Sequence, residues 1–131
     1  MIVGRRTYDV AIDEGWEGVS PFQVPAFVPS RDVPAAVVPG FTFVTDGIHS
    51  ALTQATAIAG DKNVWVMGGA TVAQQYLAAG LVDELRIHIA PVLFGAGTRL
   101  FEHIGSDRIE LEPTEVIQTP DAIHLRYRVV K

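Results

Sequence analysis

Asn63-Val64-Trp65-Val66-Met67-Gly68-Gly69-Ala70-Thr71-Val72 runs from a strand-like apolar stretch through two glycines into a helix, with no linker between them. Paired glycines let a backbone approach a ligand closely, and a helix start leaves N–H groups without intrahelical acceptors. Those donors, with the positive end of the helix dipole, favour a phosphate or another anion. A second cluster of this kind, Gly4-Arg5-Arg6-Thr7, stands at the start of the chain. Cations at a helix N-terminus oppose the dipole, so arginines there gain when an anion lies between them and the free N–H groups. Arg also presents a planar fork of donors that suits phosphate. Ser30-Arg31 follows a candidate strand end and could serve the same anion. Two anion sites on one chain point to a dinucleotide.

Each feature has a plainer reading. Gly68-Gly69 is equally a tight strand-to-helix turn, and it matches neither G-x-x-x-x-G-K-[ST] nor G-x-G-x-x-G. Arg5 and Arg6 could be a solvated helix start, and Arg31 an exposed loop residue. Gly95-Ala96-Gly97 imitates a dinucleotide turn, but Leu100 takes the place of the third glycine and would hinder close helix–strand packing. A flexible loop beside a ligand is the better reading there. His49, His88, His103 and His124 show no helical metal-ligand spacing, so no metal site is expected. G-x-S-x-G is absent, and no catalytic residue can be named.

The elements that must position these residues follow from periodicity. Ile2-Val3 reads as the end of a strand. A helix is predicted from Arg5 to about Ile12, with Tyr8 and Ile12 on one face. Five of the eight prolines fall within residues 13–40, a loop that could enclose a short strand at Ala26-Phe27-Val28. Phe41 to Val44 is strand-like, and a helix follows from about His49 to Ala59 with Gly60 as its cap. Val64 to Met67 is expected as the central strand, with a helix over Ala70–Ala79 behind it. Leu85 to Val92 alternates as a half-buried strand. Ile109–Gln118 and Ala122–Val130 flank Thr119-Pro120-Asp121 as a hairpin. The predicted fold is one α/β domain over residues 1–131, a mixed sheet flanked by helices with a C-terminal antiparallel hairpin.

Composition bounds the function. The 131 residues are 48% hydrophobic and 19% charged, which describes a globular chain. A formal net charge of −5 opposes nucleic-acid binding. Eight of the ten basic residues are nevertheless Arg, with Arg5, Arg6 and Arg31 in the first quarter. The chain has no cysteine and no run long and apolar enough to span a bilayer. A cytoplasmic protein that binds a small anionic ligand is the expectation.

Taken together these residues resemble the dihydrofolate reductase superfamily, and within it the reductase domain of the deaminase–reductases of riboflavin synthesis and its stand-alone bacterial relatives. The likeness is carried by Gly4-Arg5-Arg6-Thr7-Tyr8, by Val64 to Ala70, and by Gly80 to His88 with Pro91 to Gly97. The resemblance implies NADPH as cofactor and hydride transfer to a C=N or C=O group of a small heterocyclic substrate, pteridine- or pyrimidine-like. Gly4, Arg5, Arg6 and Thr7 would hold its pyrophosphate and 2′-phosphate, with Ser30 and Arg31 near the 2′-phosphate. Met67, Gly68, Gly69, Ala70, Thr71 and Val72 would embrace the pyrophosphate and nicotinamide side, with a cis peptide between the glycines. Phe94, Gly95, Gly97 and Thr98 would border the substrate. Relatives carry a core strand and helix before Gly-Arg-Arg-Thr, and here Met1 stands three residues before Gly4. A misassigned start, a fragment, or a shortened form that completes its sheet by association would each account for that, and a homodimer is expected. The alternative is a nucleotide-binding or structural module without catalysis.

Overall fold

The computed structural model describes residues 1–14 and 19–131; part of the proline-rich stretch expected over 13–40 lies outside them. The chain divides into two compact units, Met1–Gln75 and Tyr76–Lys131.

The first unit is a parallel sheet flanked by helices. Its elements are β1 (Ile2–Val3), α1 (Arg5–Glu14), β2 (Ala26–Pro29), β3 (Phe41–Val44), α2 (Ile48–Ala59) and β4 (Val66–Gly68). Helix α3 (Ala70–Ala78) follows β4 and runs past the division. The strand order is β3-β2-β1-β4. Val64–Met67 was expected at the centre of the sheet, but β4 borders it and β1 takes an inner place. The reason is visible in the backbone bonds. Ile2 N–H donates to Trp65 O (2.8 Å) on one side, while Met1 O accepts from Phe27 N–H (2.9 Å) on the other. A strand of only two residues thus joins two neighbours.

The period-2 alternation of strands divides the core. Val3, Ala26, Val28 and Phe41 cluster with Tyr8 of α1 and with Val38. Tyr8 meets Phe41 and Phe43 edge-on, with ring centroids 5.0 and 4.8 Å away. Its hydroxyl accepts the buried Val38 N–H at 3.0 Å, which pins the loop before β3 to α1. Ile2 and Phe27 alternate away from that cluster, and α2 packs against β1, β2 and β3 with Ala51 and Ala55 buried. Small residues on α2 suit a close helix–sheet approach. Gly60 closes α2 in the left-handed region, φ +58°, its N–H donating to Thr56 O as a predicted cap.

The second unit is an antiparallel sheet of β5 (Glu84–Ile89), β6 (Leu111–Gln118) and β7 (Ile123–Val129) in the order β5-β7-β6. The predicted hairpin is present. Its turn is closed by Thr119, whose N–H and hydroxyl both donate to Ala122 O (2.9 and 3.1 Å). A bulge at Pro113/Glu115 interrupts β6, where proline has no N–H for the ladder. The α/β class holds, with parallel and antiparallel strands in separate sheets. No described helix is long and apolar enough to cross a membrane.

Candidate functional site

The two glycine-bearing motifs are distant in sequence and meet in space. β1 and β4 run parallel and adjacent, and each ends directly at a helix, α1 at Arg5 and α3 at Ala70. Gly4 N–H donates to Gly68 O at 2.6 Å. A Cβ on Gly4 would lie 3.1 Å from both Gly68 O and Gly69 N, and 3.3 Å from Val72 Cγ1. Any side chain there would force those atoms to give by a few tenths of an ångström. A Cβ on Gly69 would meet Thr7 Oγ1 at 3.4 Å. The Gly68–Gly69 peptide is cis, as the resemblance implied, and Gly68 has φ +116°.

The first backbone bonds of the two helices run from Tyr8 N to Gly4 O and from Ala73 N to Gly69 O. The N–H groups of Arg5, Arg6 and Thr7, and of Ala70, Thr71 and Val72, precede those bonds and have no acceptor within their helices. Neither helix carries an acidic residue in its first turn. Two positive helix ends therefore lie side by side at the carboxyl ends of parallel strands, the crevice where open α/β sheets bind ligands.

Arg5, the first residue of α1, is paired with α1 and with the segment after β2. Its Nε donates to both Asp9 carboxylate oxygens (2.9 and 3.0 Å), as i,i+4 spacing on a helix allows. Its Nη1 donates to Ser30 Oγ (3.0 Å), to Asp32 Oδ1 (3.1 Å) and to the Asp32 carbonyl (3.3 Å). The guanidinium carbon also lies 5.4 Å from the Phe43 ring centre. The hydrogen bond to Asp9, with the charges of Asp9 and Asp32, raises the Arg5 pKa further above its ordinary value.

The structure brings Gly4, Thr7, Gly68, Gly69 and Val72 together, and Arg5 and Ser30 form a second group beside Asp9 and Asp32. Arg6 and Arg31 are exposed, and Met67 is 40% exposed on β4. Phe94, Gly95, Gly97 and Thr98 lie in the second unit on an exposed segment, with Phe94 88% exposed. Asp9 and Asp32 were missed from the sequence. The i,i+4 spacing of Arg5 and Asp9 was a readable signal; Asp32, 27 residues beyond Arg5, had none. Farther along α1, Tyr8, Asp9 and Ile12 share a groove of about 440 Å³ with Pro34 and residues 36–39.

The family model of the RibD C-terminal domain matches residues 26–125. The chain belongs to that family. The match includes the diglycine element and the Phe94–Thr98 segment, and it begins after Gly4–Thr7. Among curated relatives in the neighbourhood of this RibD-type chain, the uncharacterized protein YyaP of Bacillus subtilis is 36% identical over 70 residues. That alignment spans 53% of this chain and 36% of YyaP, so the chain covers little more than a third of that relative. A putative riboflavin biosynthesis protein from Shewanella sp. PV-4 shares the fold with a TM-score of 0.82 at 21% identity, covering 99% of this chain and 73% of that one. The riboflavin biosynthesis reductase Rib7 of Saccharomyces cerevisiae gives a TM-score of 0.57 at 19% identity, over 82% of this chain and 57% of its own. At those identities the likeness is one of fold.

Proposed function

We propose that this RibD-type chain is an NADPH-dependent reductase that delivers hydride to a C=N or C=O group of a small pyrimidine- or pteridine-like substrate. The observation that carries the reading is the junction of Gly4 with Gly68-Gly69, which sets two helix N-termini beside each other where an added Cβ would crowd backbone atoms at 3.1 Å. Such a cradle fits a pyrophosphate, whose charge the free N–H groups of Arg5 to Thr7 and Ala70 to Val72 would hold. When bound, NADPH supplies the hydride; the chain's own residues position it. Arg5 and Ser30 would face the 2′-phosphate, with Arg6 and Arg31 as exposed cations able to swing toward it. Met67, the middle residue of β4, would border the nicotinamide. Phe94, Gly95, Gly97 and Thr98 are proposed as substrate-side residues because the family match runs through them.

The same match crosses the division at Gln75/Tyr76, which supports treating the two units as one reductase domain. A cytoplasmic homodimer is the proposed state. Its support is the apolar surface of the second unit, where Leu93 is 99% and Phe94 88% exposed.

A second reading rests on Arg5. Two carboxylates already hold its guanidinium, an arrangement also suited to a structural clamp in a nucleotide-binding module without turnover. Titration with NADPH and NADH, followed by Trp65 fluorescence, separates the cases when it is combined with NADPH oxidation in the presence of pyrimidine and pteridine substrates. Micromolar binding that prefers NADPH, with turnover of one substrate class, is the expected result. Binding without turnover of any substrate would establish the second reading. Binding of neither nucleotide would overturn both.

A further inference from the structure

His88 and His124 stand opposite each other on β5 and β7. Their Nδ1 atoms are 2.6 Å apart, with ring centroids separated by 4.8 Å and planes inclined at 68°. One ring nitrogen donates to the other, the tautomers deciding which. Two nitrogen ligands converge from neighbouring strands on a solvent-accessible face, His88 exposed and His124 half-buried.

We infer that His88 and His124 form a two-histidine site for a divalent first-row transition metal ion, which clasps β5 to β7. Imidazole nitrogens bind such ions at about 2.0–2.1 Å, which sets two nitrogens about 2.9 Å apart at the right angle Cu2+ prefers and about 3.3 Å apart at a tetrahedral one. Opening the pair by at most about 0.7 Å takes only small side-chain rotations of an exposed and a half-exposed ring. The ion takes the place of the hydrogen bond: the donor ring passes its Nδ1 proton to its own Nε2 through solvent, and both rings coordinate as neutral imidazoles with no net proton released.

The surroundings do not repel a cation. The alternation that presents His88 and His124 also presents Glu84 and Arg86 on β5, Arg126 and Arg128 on β7, and Glu112 and Glu115 on β6. Glu84 accepts from Arg86 Nε at 2.7 Å and lies 3.5 Å from Arg126 Nε. Glu115 lies 3.6 Å from Arg126 Nη1, and Glu112 pairs with Arg128. Three carboxylates balance the three guanidinium groups along this face. Among the described residues no group of three or more His, Cys, Asp or Glu side chains could hold a metal. Water therefore completes the coordination, and Cu2+ binds more tightly than Zn2+.

The test is calorimetric titration of the tag-free, chelator-treated chain with Cu2+ and then with Zn2+, and electron paramagnetic resonance of the Cu2+ form. The chains compared are wild type, His88→Gln, His124→Gln, and the control His49→Gln. One Cu2+ per chain, with two nitrogen couplings, is expected in wild type and in the control. Either pair variant should bind at least about tenfold more weakly and show one nitrogen coupling. Equal affinity in wild type and in both pair variants would overturn the inference, as would no wild-type binding below about 1 mM. Circular dichroism of each variant confirms that the sheet is retained.

Discussion

Arg5 Nη1 lies 3.1 Å from Asp32 Oδ1, so the cation best placed for an anionic ligand already faces a carboxylate. Asp32 is three-quarters exposed and Arg5 about one-third, which makes the pair worth little to stability. Its consequence falls on recognition. Any phosphate that approaches Arg5 and Ser30 must displace or tolerate the Asp32 charge, whereas a ribose hydroxyl could donate to it. If NADPH binds as proposed, Asp32 is expected to work against the phosphate-bearing nucleotide.

Asp32→Asn should tighten NADPH roughly three- to tenfold, a range set by screened charges close together at a surface. NADH affinity should stay level or fall. Arg5→Ala should weaken NADPH in both backgrounds. Parallel fluorescence titrations of the two nucleotides measure all three effects, and an unchanged NADPH/NADH ratio in Asp32→Asn would remove Asp32 from the site.

Gly4→Ala tests the junction itself. The new methyl would meet Gly68 O and Gly69 N at 3.1 Å, and these are backbone atoms with little room to give. A cost of roughly 1–3 kcal/mol is expected from overpacking, with β1 pushed away from β4. Gly47→Ala is an informative contrast because nothing lies within 4 Å of its Cβ, although its φ of +101° still strains an alanine. Only Gly4→Ala should abolish nucleotide binding at temperatures where both variants remain folded by circular dichroism.

What the sequence disclosed was local. The diglycine run, the helix after Gly4 and the hairpin around Thr119-Pro120-Asp121 announce themselves within about ten residues, through turn chemistry and periodicity. The candidate crevice was legible for the same reason, since each half is a strand running straight into a helix. Pairings over long separations were not. Nothing near Arg5 pointed to Asp32, and nothing near His88 pointed to His124, 36 residues away, because each pair is created by strand order and register. The place of β4 at the border of its sheet was misjudged on composition. Val64-Trp65-Val66 has the apolar run of an inner strand, yet Trp65 is 61% exposed.

Tyr76 should make the fold sensitive to alkali. Its side chain is fully buried, and burial pushes its hydroxyl from 10.0 up to about 12. The folded state therefore holds this proton more tightly than the unfolded chain does. The stabilisation is fully present below pH 10 and is lost as pH rises through about 12, roughly 3 kcal/mol in all. Denaturant midpoints measured from pH 9 to 12 should fall along that window, and Tyr76→Phe should flatten the fall. An equally steep decline in Tyr76→Phe would assign the sensitivity to other groups.

The apolar surface of the second unit leads to a prediction about assembly. No residue beyond Leu77 is buried in the single chain. Val92, Leu93, Phe94, Leu100 and Phe101 are each more than 40% exposed on the segment after β5, and Val116 is 65% exposed on β6. Monomers seldom leave so much aliphatic and aromatic surface in water, and a stable interface needs about 800 Å² from each partner. A second copy would supply the same surface by two-fold symmetry. Light scattering should give twice the 14.2 kDa chain mass. The double variant Leu93→Ser/Phe94→Ser should shift the equilibrium toward monomer, raising the dissociation constant at least about tenfold if these residues sit at the interface core. A wild-type chain that runs as a monomer at high micromolar concentration would exclude the dimer, and the exposed segment would then have to be covered by a different chain.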